Sequence, residues 1–115
     1  MKSHEFLTEK TIAVHDFDDI RVYVDDHIFD QHVKRPNEVV SLYAIGTALG
    51  KILKVRNEIS ELEAGQEFWI YYDKLRVGLG MRKIDVAGKK YQLKTVINDE
   101  PHREGRNPVI DIPLQ

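Results

Sequence analysis

Nine side chains able to bind a metal ion or move a proton lie close together near the N-terminus. The stretches "HDFDD" and "DDHIFDQH" gather His15, Asp16, Asp18, Asp19, Asp25, Asp26, His27, Asp30 and His32. Imidazoles and carboxylates suit zinc, iron or manganese, and a bound ion would activate water for hydrolysis. The spacing argues the other way, because no pair repeats a metal-site period such as His-Glu-x-x-His. A turn accounts for Asp16–Asp19, and a solvated loop for Asp25–Asp30. A metal-dependent hydrolase built on His15, His27 and His32 stays an alternative. No metal or other cofactor is expected.

Phosphate chemistry fares no better. "GTALGK" at 46–51 has three residues between its glycines where a phosphate loop has four, and Ile52 stands where Ser or Thr must hold magnesium. "GLGMRK" at 78–83 lacks the third glycine of a dinucleotide loop and opens no helix. Gly78 and Gly80 read instead as a bulge or bend in a strand. There is no cysteine and no glycine-flanked serine elbow, so nothing resembles an activated nucleophile.

Binding chemistry is better represented. Read as one strand, "EFWIYYDKLRVGLGMR" places Phe68, Ile70, Tyr72, Lys74, Arg76 and Arg82 on one face. Trp69, Tyr71, Leu75, Val77, Leu79 and Met81 form the other, the cleaner core face. An aromatic beside cations on a sheet surface suits base stacking and phosphate contact, and Lys89, Lys90 and Lys94 would extend the patch. The candidate partner-binding residues are therefore Tyr72, Lys74, Arg76 and Arg82, with the acidic segment Asp25, Asp26 and Asp30 second.

The elements that must carry these residues follow from periodicity. "TIAVHDF" and "IRVYVDD" alternate as two strands around an Asp18-Asp19 turn. A helix is expected from about residue 38 to about residue 63, capped by Asn37 and ended by Gly65. Its apolar stripe is Leu42, Ile45, Leu49, Ile52 and Ile59, broken only by Arg56. Gly46 and Gly50 lie on one line beside that stripe, and each costs about 1 kcal/mol against alanine. Close approach of another backbone, from the sheet or from a second subunit, would offset that cost; a break in the helix is the alternative. Strands follow at 67–80 and 81–98, the latter a hairpin turning at Ala87-Gly88-Lys89, and "VIDIPL", which carries Pro113, is expected as a last short strand, an edge or a tail. The order β-β-α-β-β-β-β implies an α+β domain: an antiparallel sheet of five or six strands with one long helix packed on it.

At 115 residues the chain is expected to be one domain. The absence of cysteine, of a signal peptide and of a membrane-length apolar run points to a cytoplasmic protein with no membrane partner. Residues 1–30 hold eight acids against three bases, and residues 74–106 nine bases against four acids. Either the two ends neutralise each other within one fold, or subunits pair head to tail, or each face meets its own partner. The profile suits a non-enzymatic bacterial or phage accessory protein, such as an inhibitor, immunity or regulatory factor, working through protein contacts. A nucleic-acid-binding module using the basic aromatic face is the alternative, and homo-oligomerisation is compatible with both.

Overall fold

Two Asp residues reverse the chain into its first hairpin. The computed structural model describes residues 11–25, 28, 41–84 and 89–114, with only the backbone for 11–13. Strand β1 (Thr11–Phe17) pairs antiparallel with β2 (Ile20–Asp25), and Phe17 faces Ile20 across the Asp18-Asp19 turn. Asp18 takes a positive φ of 61°, a conformation that Asp tolerates better than most residues. Asn37 and Glu38, the expected helix start, lie outside the described residues.

The long helix is instead three short pieces. Helix α1 (Leu42–Leu49) is capped by the Ser41 side chain, which accepts from the Ala44 amide at 3.1 Å. It stops at Gly50, whose amide donates to the Gly46 carbonyl at 2.9 Å. A 3₁₀ turn (Ile52–Val55) and helix α2 (Arg56–Ser60) follow. The break at Gly50 is thus the realised alternative, and the one-helix expectation is corrected. The stripe survives it: Ile45, Ala48, Leu49, Ile52, Val55 and Ile59 are all buried, because each piece turns the same apolar side to the sheet. Leu42 does not join them and is 55% exposed. Gly65 lies beyond the helical end, in the turn into β3, where its φ of 83° needs glycine.

The stretch read as a single strand is a hairpin. Strand β3 (Glu67–Tyr72) and β4 (Val77–Lys83) pair antiparallel, with Tyr72 opposite Val77 and residues 73–76 as the loop. Arg76 closes that loop at a φ of 54°. Four loop residues, with Arg76 in left-handed geometry, break the alternation between the strands. Phe68, Ile70 and Tyr72 therefore share the inner face with Val77, Leu79 and Met81. Strand β5 (Lys90–Ile97) pairs antiparallel with β4, with a bulge at Lys94 where the register skips between Thr95 and Leu93. Of the expected Ala87-Gly88-Lys89 turn, Ala87 and Gly88 lie outside the described residues.

The sheet order is β1-β2-β5-β4-β3-β6, with β6 at Val109–Asp111. It is mixed rather than antiparallel: β2 runs parallel to β5, and β6 parallel to β3. An antiparallel hairpin and an antiparallel three-strand meander stand side by side at β2–β5. Alternation within a strand carries no information about the direction of a neighbour distant in sequence, so this pairing was not readable. The α+β class holds.

Among the described residues, a charged side chain sits among the apolar ones of the inner face. Lys83, 2% exposed, continues the inward set of β4. Its Nζ donates to the carbonyls of Ser60 and Leu62, both at 2.8 Å. These are the unsatisfied carbonyls at the C-terminal end of α2, where a cation is favoured. Tyr91 Oη donates to the Ile59 carbonyl at 3.3 Å. We expect Lys83→Met to lower stability by about 2–3 kcal/mol in urea denaturation, since it leaves buried carbonyls without a donor. An unchanged midpoint would show that those carbonyls find other donors.

Candidate binding surface

The helices pack on one face of the sheet, and among the described residues no helix covers the other. That outer face is a lattice fixed by register. One row across it runs Glu67, Arg82, Gln92, Tyr23 and Val14, from β3 to β1. The next runs Trp69, Gly80 and Thr95, and a third Tyr71, Gly78 and Ile97. At about 4.8 Å between strands, Tyr23 and Glu67 stand roughly 14 Å apart.

The glycines of β4 are occupied by their neighbours. A Cβ at Gly80 would stand 2.5 Å from Thr95 Cγ2 and 3.1 Å from Trp69 Cζ3; one at Gly78 would stand 2.9 Å from Ile97 Cγ1. The six-membered ring of Trp69 therefore occupies the space beside Gly80, and the side chain remains partly exposed. A shallow open depression of about 90 Å³ runs beside it, lined by Glu67, Trp69, Gly80, Lys94, Thr95 and Asn107 among others. Tyr71 is buried on the same face. The Arg103 guanidinium lies 6.0 Å from its ring centroid, and its hydroxyl donates to Asp73 at 3.1 Å. Burial first, then that hydrogen bond, pushes the phenol pKa up.

Charge on this face is largely paired. Arg21 grips Asp16 through two hydrogen bonds, at 2.7 and 3.2 Å. Lys94 meets Glu67 at 2.5 Å, and Arg103 holds Glu100 and both oxygens of Asp111. The hydrogen bond from Lys94 holds the Glu67 carboxyl below its ordinary pKa, with smaller contributions from Arg82 and Arg106. Gln92 Nε2 donates to Asp25 at 3.3 Å. Arg82, Lys90 and Arg106 form no ion pair among the described residues, which leaves the face with a cationic surplus.

The residues singled out from sequence are dispersed. Tyr72 is 6% exposed on the inner face, because the 73–76 loop reverses its parity relative to β4. Lys74 and Arg76 lie in that loop, at the opposite end of β4 from Arg82, and Arg76 pairs with Asp99 at 2.8 Å. Only Arg82 is on the outer face. Lys90 and Lys94 join it there, while Lys89 pairs with Asp19 at 2.7 Å at the first turn. Asp25 is at the end of β2; Asp26 and Asp30 lie outside the described residues. Among the described residues nothing comes within 4 Å of a Cβ at Gly46, and at Gly50 the near atoms are its own helix's carbonyls. Neither shows close approach by another backbone.

His15 points to the inner side of β1, stacked 6.4 Å from Phe17. With Phe17, Val24, Ile28, Leu42 and Ile45 it lines an open apolar cavity of about 260 Å³. His27 and His32 lie outside the described residues, and among those described no three His, Asp or Glu side chains converge as a metal site. No described helix is long and apolar enough to cross a membrane.

Sequence reasoning missed Trp69 and Arg106. The available signal was the pair of glycines at 78 and 80, which leave room for large side chains on the neighbouring strand. No protein-family model, no curated protein and no solved structure matches this chain.

Glu67 gives the face a measurable pH dependence. Its folded-state pKa is depressed, so its pair with Lys94 contributes stability above the ordinary carboxylate pKa and loses it as pH falls through the lower value. Its side chain is 45% exposed, so the contribution stays within about 1 kcal/mol. Urea denaturation should show Glu67→Gln slightly less stable than wild type at pH 7. The difference should close as pH falls through the lowered pKa of Glu67, below which its carboxyl is as neutral as the Gln amide.

Proposed function

We propose that the chain is a non-enzymatic binding protein, accessory or regulatory in type, whose working surface is the outer sheet face around Trp69. One observation carries the reading: a partly exposed indole packed against Gly80, on a face where Arg82, Lys90 and Arg106 form no ion pair among the described residues. Such a surface offers apolar contact and positive charge together. It suits a partner with dense negative charge and flat groups.

Trp69 is the sole tryptophan, so its emission reports on this surface directly. Iodide should quench Trp69 more strongly than caesium at equal ionic strength, because local positive charge concentrates the anion. Arg82→Glu should reduce the iodide–caesium difference. Weak quenching by both ions would overturn the assignment of Trp69 as a contact residue.

A second reading has its own observation. On α1, Tyr43 is 78% and Leu42 55% exposed, and Gly46 lies one turn from both. This side would fit the same helix of a second copy. On that reading the chain sediments as a dimer at tens of micromolar concentration. Tyr43→Glu should return it to a monomer, whereas Gly46→Ala in a monomer should add up to about 1 kcal/mol of stability. A wild-type monomer at every concentration rules the reading out.

A further inference from the structure

We infer that the outer face around Trp69 takes single-stranded nucleic acid, with a base stacked on the indole and phosphates met by Arg82, Lys90 and Arg106. The inference rests on the reading of this face as the working surface and adds the partner's chemistry. Three features of the face favour a polynucleotide over an acidic protein segment.

The first is the disposition of charge. Asp16, Glu67 and Asp111 are each ion-paired with an arginine or lysine of the same face, while Arg82, Lys90 and Arg106 form no ion pair among the described residues. Arg82, next to last in β4, and Lys90, first in the antiparallel β5, lie at the same end of the sheet face, and Arg106 lies in the loop before β6. Successive phosphates of one strand can meet these cations in turn, and counterion release on neutralising them drives association.

The second is the aromatic platform. Trp69 packs against Gly80, with Tyr23 outward on β2 in the row of Arg82 and Gln92. Carboxylate side chains gain nothing from an indole face, whereas every nucleobase has a π-face to stack on it. The third is shape. A duplex keeps its base faces stacked inside, so a sheet surface reaches only its phosphates. An unpaired strand can lay bases on the sheet and pair their edges with the partly exposed Asn107.

The test is titration of the full chain with a thymidine oligomer about ten nucleotides long at 50 mM salt, read by Trp69 emission and by anisotropy of end-labelled oligomer. Binding should quench Trp69. With three phosphate contacts on a single strand, raising salt to 200 mM should weaken affinity about 20-fold. Arg82→Glu should cost at least tenfold. Trp69→Ala should cost between about 5- and 100-fold by anisotropy, with circular dichroism confirming the fold. Lys74→Glu, in the 73–76 loop, should change affinity less than twofold.

Equal affinity for a duplex of the same length would overturn base stacking. Equal affinity for polyglutamate of matched charge would overturn the nucleic-acid assignment in favour of an acidic protein. No binding of the oligomer, with iodide quenching of Trp69 intact, would remove the ligand and leave the surface. Loss of that quenching would remove the surface itself.

Discussion

The arrangement of this fold depends on a buried ammonium group. Lys83 ends β4 and turns inward, where its Nζ meets the carbonyls of Ser60 and Leu62. Its own amide donates to Gln66 at 3.0 Å, and its carbonyl accepts from Gly65 at 2.7 Å. One residue thus ties the end of α2, the turn into β3 and the central strand β4 together. A five-residue helix has no stability of its own in water. What fixes α2 is this cap together with the burial of Ile59. An ammonium in a core is costly unless its donors find acceptors, and a helix C-terminus offers carbonyls that nothing else has satisfied.

The outer face follows from that inward lysine. Side chains alternate along a strand, so Lys83 in places Arg82 out, and Met81 in places Gly80 out. Neither could move without the other. A one-residue slip of β4 would bring Arg82 into the core without a carbonyl partner and push Met81 into solvent. The same alternation gives the cationic row and the glycine seat of Trp69. The surface chemistry is thus set by the packing requirement on the other side of the sheet.

Much of this was legible in the sequence. The first hairpin, the two-residue aspartate turn and most of the apolar helical stripe are where periodicity puts them. What failed failed for identifiable reasons. Asp73-Lys74-Leu75-Arg76 contains no glycine or proline and only one turn-favouring residue, Asp73, so the loop was easily passed over, and alternation counted across it assigned Tyr72 to the wrong face. Lys83 and Arg82 are adjacent cations, and composition alone cannot tell which enters the core. That choice is made by the carbonyls of Ser60 and Leu62, more than twenty residues earlier. The bulge at Lys94 and the parallel pairings of β2 with β5 and β3 with β6 are likewise decided between distant segments.

The charge asymmetry along the chain is resolved in the same way. The acidic first turn meets bases from two later elements: Asp19 is bound by Arg56 and by Lys89, and Asp18 by Arg56 at 3.4 Å. The hydrogen bond from Lys89 is the main reason the Asp19 pKa is lowered. Arg56, the one interruption of the apolar stripe, is therefore the residue that links the α2 segment to the first hairpin. Each such exposed pair is worth little singly, but together they use up the acids near β2 and β5. Net charge, at −2, describes the whole chain and conceals this. On the outer face, Arg82, Lys90 and Arg106 are the cations left over from that pairing among the described residues, and a chain of net charge −2 can present them because Asp16, Glu67 and Asp111 are ion-paired with other bases.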